Sequence, residues 1–192
     1  MCPIYNLNLN KNHNHGRNHD RNRNNNSGRK ILFQLSGSIA AYQACKVISR
    51  LVQMGHEVQI VTTPSVFEFV GLATLEGLTH RSVAQHIFAP GEMMSHIEWA
   101  RWADLFVLCP ATASILNRLA YGSGDDLLSC IFLAQDFTRP YLIFPAMNTH
   151  MLNHPCTQES LGRLKKMGVH VFDTQSGTLA CGEIGLGKLL DP

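Results

Sequence analysis

Residues 30–63, KILFQLSGSIAAYQACKVISRLVQMGHEVQIVTT, restrict the fold more than any other stretch of the chain. An apolar run ends in small residues. A stretch of helical periodicity follows, a glycine closes it, and a second apolar run begins. The periodic part sets Ile39, Ala40, Ala44, Val47, Ile48 and Leu51 on one broad face. Gly55 stands where a helix C-terminus takes a residue of positive φ. Strand, helix, glycine, strand at this tempo is a βαβ unit, so the two strands are parallel and joined by a right-handed crossover.

The pattern then repeats. The spacing predicts a helix near residues 65–76 and a strand in ADLFVLCPAT that ends at Pro110. SILNRLAYG reads as a short helix closed by Gly122, DDLLSCIFLAQ as another helix, and RPYLIFPAMN as a strand. NHPCTQESLGRLKKMG predicts a helix with Leu161, Leu164 and Met167 three apart, and VHVFD one more strand. The runs VLC and YLIF are almost continuously apolar, which implies burial on both faces: an α/β three-layer sandwich around a parallel sheet. Ligands of such sheets sit beyond the carboxyl ends of the strands, near a switch in strand order. Segments 37–42, 62–63, 110–117 and 145–151 are therefore expected to line one edge.

Composition narrows the alternatives. A chain of 192 residues suits one domain with a substantial core. Residues 1–28 are rich in Asn, His and Arg without periodicity, and are expected to be a disordered tail. Its three histidines could catch a metal weakly, but a solvated tail is the simpler reading, and no metal site is expected. The formal charge of +2 belongs to that end: Lys11, Arg17, Arg21, Arg23, Arg29 and Lys30 face only Asp20, which leaves 10 basic and 13 acidic residues for the rest. A folded part of that balance carries no nucleic-acid footprint. The six cysteines match neither a zinc site nor a disulfide framework. Cys45, Cys109 and Cys130 lie in apolar stretches and read as buried thiols, so a reducing, cytoplasmic setting is expected. Neither a membrane span nor the apolar centre of a signal peptide is visible.

At the strand ends, SGSIAAY places Ser36, Gly37 and Ser38 just before a helix. Free amides at a helix N-terminus bind phosphate, and small residues let it approach. The same residues would equally serve as cap and turn. Neither a dinucleotide fingerprint nor a P-loop is present, so a mononucleotide fits better, with Thr63, Thr112 and Ser114 as further hydroxyls. MMSHIEWARWAD offers His96, while Trp99 and Trp102 form a stripe more typical of a core. TLACGEIGLGKLLDP is too glycine-rich for an ordinary strand or helix, and reads as a flap or a C-terminal loop carrying Cys181. PAMNTHM, after the strand YLIF, is either a plain turn or one wall of a site.

Together GSIAAY, SHIEWARWAD, PATASILNRLAYGSGDDLL, PAMNTHM and LACGEIGLG resemble the flavin-dependent cysteine decarboxylases over residues 29–192. That family includes phosphopantothenoylcysteine decarboxylase and the lantibiotic peptidyl-cysteine decarboxylases. The resemblance implies a Rossmann-like, flavodoxin-like flavoprotein that binds FMN and assembles as a homotrimer or as a homododecamer of trimers, with FMN between subunits. It implies His96, Asn148 and Cys181 as catalytic residues, with His96 serving a cofactor held mainly by the neighbouring subunit. Gly37, Ser38, Ile39, Thr63, Thr112, Ala113 and Ser114 would surround FMN. Asn148, Met151, Ala180 and Cys181 would contact the substrate, through a clamp near residues 174–188. The implied reaction oxidises the cysteine to a thioaldehyde, whose C=S accepts the electrons left by CO2 and gives an enethiol. In the coenzyme A branch the enethiol is reduced to 4'-phosphopantetheine, with Cys181 as proton donor.

Departures from the family pattern bear on the substrate. Ser114 and Ile115 replace Asn and Thr, Leu152 replaces a Trp, and Glu183 replaces Asp. A peptide ending in cysteine is therefore kept as an alternative substrate, and a non-catalytic regulatory subunit as an alternative role. Flavin prenyltransferases share the fold but lack the PAMN and Cys-Gly blocks. The synthetase domain that follows in many bacterial relatives is expected to be lost or to be a separate protein.

Overall fold

The computed structural model describes residues 28–88 and 94–191, so nearly all of the expected tail lies outside the described residues. Five parallel strands form the main sheet: β1 (Lys30–Leu35), β2 (Glu57–Thr62), β3 (Leu105–Ala111), β4 (Tyr141–Pro145) and β5 (His170–Val171), in the order β2-β1-β3-β4-β5. The order reverses between β1 and β3, which opens a crevice beyond their carboxyl ends. The helices are α1 (Ala41–Gln53), α2 (Leu72–Thr79), α3 (Ser95–Trp102), α4 (Ala113–Tyr121), α5 (Leu127–Leu133), α6 (Thr149–Asn153) and α7 (Pro155–Lys166). A separate antiparallel hairpin joins β6 (Gln175–Thr178) to β7 (Ile184–Lys188).

Alternation along the strands makes the three layers. Ile31, Phe33 and Leu35 of β1, with Leu105, Val107 and Cys109 of β3, pack against Ala44, Val47, Ile48 and Leu51 of α1 and Leu75 of α2. The opposite face, with Leu32, Phe106, Leu108 and Ile143, meets Ala100 of α3, Leu116 and Leu119 of α4, Leu128 of α5 and Leu164 of α7. Each fully buried side chain of this size contributes about 1.5–3 kcal/mol, so both faces are strongly committed to their helices.

Several expectations need correction. Ile39 is not on the core stripe: α1 starts only at Ala41, and Ile39, in the preceding turn, is 55% exposed. The helix expected near 65–76 is split into a 3-10 turn, Pro64–Glu68, and α2, with Gly71 before the latter. β3 runs through Pro110 to Ala111, because Pro110 lacks only a donor and its carbonyl still accepts from the Ser36 amide just after β1. Met167 caps α7 in an exposed position, and only Leu164 of its expected stripe is fully buried. Of the three cysteines read as buried, Cys109 is buried, whereas Cys45 and Cys130 are half-buried, with burial pushing both thiols up. Within the glycine-rich segment Ile184–Lys188 is a strand, for a reason that lies in the site, while residues 179–183, with Cys181, form the turn of a hairpin.

Candidate active site

The site begins where β1 and β3 part. Ser36 is buried there, and its hydroxyl donates to the Pro110 carbonyl at 2.8 Å while accepting from the Thr112 amide at 3.0 Å. The two strand ends are thus laced together at the switch point. Gly37 has no room for a side chain, since a Cβ would fall 2.3 Å from Ser65 Oγ. The turn can therefore rest on the segment after β2, where the Thr63 and Ser65 hydroxyls pair at 3.1 Å. Ser38 closes the turn: its hydroxyl accepts from the Ala40 amide and its carbonyl from the Ala41 amide. The amides of Ser38 and Ile39 have no partner among the described residues, and they lie just before the start of α1, where the helix dipole favours an anion.

PAMNTHM is not a plain turn: Pro145 ends β4 and Thr149 begins a short helix, α6. Asn148 caps α6, a helix the sequence reading missed, and its Oδ1 accepts from the Met151 amide at 2.8 Å. A backbone N–H can only donate, so the oxygen of the side-chain amide must face it. The NH2 end is then left free, and Asn148 lines a cleft of about 450 Å3. His150 is exposed.

The far wall of that cleft is the β6–β7 hairpin. Its tip, residues 179–183, closes through the Leu179 amide to the Glu183 carbonyl at 2.8 Å. Cys181 sits on this tip, exposed, with Sγ 3.6 Å from Glu183 Oε2. Its root is fastened to PAMNTHM: the Met147 amide donates to the Gly187 carbonyl at 3.0 Å, and the Thr149 hydroxyl to the Leu186 carbonyl at 2.7 Å. The glycines make this approach possible. A Cβ on Gly187 would lie 2.1 Å from the Met147 oxygen, and one on Gly185 would lie 2.3 Å from Thr149 Oγ1. Two glycines two apart in a strand were the signal for close backbone approach; composition alone suggested flexibility instead.

Gly187→Ala should consequently unfasten the hairpin, because φ there is +123° as well as crowded. The expected cost is about 1–3 kcal/mol of stability from the strained backbone. Urea unfolding together with limited proteolysis checks it: protease cutting near residues 175–188 should speed up. Unchanged rates would show that this contact does not hold the hairpin down.

The cleft brings Ser38, Ile39, Asn148, Ala180 and Cys181 together, along with Tyr42 and Gln43, which sequence reasoning did not single out. It does not include Gly37, Thr63, Thr112, Ala113 or Ser114, which lie beside it at the same sheet edge, nor Met151, which is exposed on α6. Thr112 caps α4 by accepting from the Ile115 amide. His96 is on α3, outside this cleft. Its Nδ1 is buried without a partner among the described residues, as are Ser95 Oγ and Trp99 Nε1 nearby. Trp99 and Trp102 stack edge to face at 5.5 Å against the core, as their spacing suggested.

Comparison with known proteins places this arrangement. A flavoprotein family model matches residues 19–192. The chain is 40% identical over 168 residues to the coenzyme A biosynthesis bifunctional protein CoaBC of Vibrio vulnificus (strain YJ016), covering 86% of this chain and 41% of that protein. It therefore spans about two fifths of the length of that relative. It is 37% identical over 165 residues to a probable phosphopantothenoylcysteine decarboxylase of Streptococcus mutans serotype c, covering 85% of this chain and 92% of that one. Among solved structures, a cysteine-to-serine mutant of PPC decarboxylase complexed with pantothenoylaminoethenethiol superposes with TM-score 0.78 at 32% identity, over 86% of this chain and 92% of that one. The FMN binding protein AtHal3 superposes with TM-score 0.74 at 32% identity, over 85% and 90% of the two chains.

Proposed function

This chain belongs to the flavoprotein family, and from that premise we propose that it is an FMN-dependent cysteine decarboxylase that converts 4'-phospho-N-pantothenoylcysteine to 4'-phosphopantetheine. The observation that carries this reading is the single cleft in which Asn148 and Cys181 face the turn at Ser38 and Ile39. The relative that carries an enethiol after a cysteine-to-serine change supports the same chemistry.

The residues present fit FMN. Gly37 keeps the turn free of a side chain, two adjacent amides are unclaimed, and Gln43 Oε1 is buried on the cleft wall without a donor. Gly37, Ser38 and Ile39 would hold the phosphate, with Thr63, Thr112, Ala113 and Ser114 around the rest of the cofactor at the sheet edge. When bound, FMN supplies the two-electron redox chemistry that makes the cysteine carbon–sulfur unit an electron sink and later returns the electrons.

The chain's own residues position the substrate and move protons. Asn148 offers its free NH2 to the substrate carboxylate, a donor without the full charge that would hold the carboxylate against leaving. Ala180 flanks the substrate in the cleft, and Met151, exposed on α6 outside it, reaches substrate from the side that a neighbouring subunit covers. Cys181, on the hairpin tip, delivers a proton in the reductive step. His96 serves the cleft of a neighbouring subunit in a homotrimer, free or within a dodecamer, where FMN lies at the interface. The unpartnered polar atoms at the start of α3 support that placement. No described helix is long and apolar enough to cross a membrane. The described cysteines are all free, which supports a cytoplasmic setting.

Anaerobic incubation of the purified protein with phosphopantothenoylcysteine, followed by mass spectrometry, tests the reading. Loss of CO2 alone is the expected result. Loss of CO2 and two hydrogens would replace it with an oxidative decarboxylase, for which peptides ending in cysteine are the next substrates. An unchanged substrate with flavin bound would support the regulatory-subunit alternative.

A further inference from the structure

Lys188 carries the only charged side chain among the described residues that line the cleft. The other lining groups are apolar or neutral, including Tyr42, Gln43, Asn148 and Cys181. One cation in such a wall determines which anions the cleft accepts.

The chain fixes the backbone and the stem that carry this ammonium. On its N-terminal side, Gly187 is tied by its carbonyl to the Met147 amide. On its C-terminal side, Leu189 is 3% exposed and packs into the core under the sheet. The backbone at 188 is therefore fixed from both directions, unlike Cys181 on the free tip. The aliphatic stem crosses the facing strand over Gly177, where an added Cβ would come within 3.0 Å of Lys188 Cδ. Glycine at 177 thus leaves the stem a track to lie in. The present counter-ion is Asp191, 3.5 Å away and 60% exposed at its side chain. An ion pair so exposed is worth about 0–1 kcal/mol, so a phosphate dianion can replace it at little cost.

We infer that Lys188 reads a phosphate monoester in this cleft, exchanging Asp191 for the phosphate and so favouring phosphorylated over unphosphorylated ligands. The carboxylate of a cysteine substrate is left to Asn148, whose amide is neutral and already oriented. Both molecules assigned to the cleft, FMN and phosphopantothenoylcysteine, carry a phosphate monoester. The substrate half of this inference rests on the function proposed above; the flavin half rests only on flavin binding.

The test uses wild type, Lys188→Met, which keeps the stem and removes the charge, and Lys188→Arg, which restores charge. Flavin-stripped protein is titrated with FMN and with riboflavin by fluorescence quenching. Flavin-loaded protein is assayed for KM with phosphopantothenoylcysteine and with pantothenoylcysteine. In one of the two pairs, Lys188→Met should reduce the preference for the phosphorylated member by about tenfold, the usual scale of a charge-assisted hydrogen bond. Lys188→Arg should recover most of it, and added salt should weaken the wild-type preference. A shift in the flavin pair assigns the lysine to the cofactor phosphate, and a shift in the thiol pair to the substrate phosphate. Both preferences unchanged within twofold, or equal losses for phosphorylated and unphosphorylated members, would overturn the inference. Absence of turnover in wild type would refute the proposed function while leaving the flavin titration to decide for or against the lysine.

Discussion

Asn148→Asp is expected to leave a folded, flavin-binding protein that no longer releases CO2. Asp caps a helix as well as Asn does, so the bond from the Met151 amide survives and α6 keeps its start. What changes is the outward end of the side chain. The free NH2 becomes a second carboxylate oxygen, which donates nothing and repels the substrate carboxylate. Like charges brought together in a binding site cost several kcal/mol, and every ~1.4 kcal/mol is tenfold in rate, so turnover should fall by about a thousandfold or more. Flavin absorbance and the melting temperature should stay near wild type while product formation disappears. Wild-type turnover in this variant would remove Asn148 from carboxylate binding. Asn148→Ala is the informative companion, since it also loses the cap and should destabilise the protein as well as disable it.

Cys181→Ser is expected to change the product rather than only slow its release. The hydroxyl of serine is a far weaker acid than a thiol, and general acid catalysis is typically worth about 10²–10⁴-fold. The saturated thiol should therefore fall by about a hundredfold or more, while the enethiol accumulates, shifted in mass by two hydrogens. Single-turnover incubation without oxygen, followed by mass spectrometry, separates the two species. A full yield of saturated thiol would take Cys181 out of the reductive step. Cys181 lies on an exposed tip among groups it touches lightly, Glu183 chief among them, so the substitution leaves the hairpin root intact.

The layered fold was legible because it is local and periodic. Alternating apolar runs, helical spacing and terminal glycines placed the parallel strands and most helices, and both Gly55 and Gly122 take the positive φ their positions implied. The strand ends also come together as expected: the Thr63 amide reaches the Leu35 carbonyl, the Ser36 amide that of Pro110, and the Ala146 amide that of Ala111, joining the ends of β2, β1, β3 and β4 along one edge. What escaped was set by distance in the chain. Gly185 and Gly187 look like flexibility until the strand is laid against Met147 and Thr149, some 38 residues earlier in sequence. Ile39 fits a helical stripe in sequence, yet the turn that frees two amides displaces it into the cleft. Cys181 and Asn148 were named from a resemblance, and residue spacing alone could not show that they share a cavity. His96 illustrates the limit from the other side, because one chain does not bring it to that cavity.

The docking of the hairpin on PAMNTHM has a consequence for how such a protein can change over time. Root and tip are under separate constraints. The root admits glycine at 185 and 187 and little else, since any side chain would meet backbone or Thr149. The tip, 179–183, is tied mainly to itself. Apart from Ala180 and Cys181, changes there leave the contacts at Met147 and Thr149, on either side of Asn148, undisturbed. The shape of the cleft can thus be edited at a few tip positions while the wall that carries Asn148 is inherited unchanged.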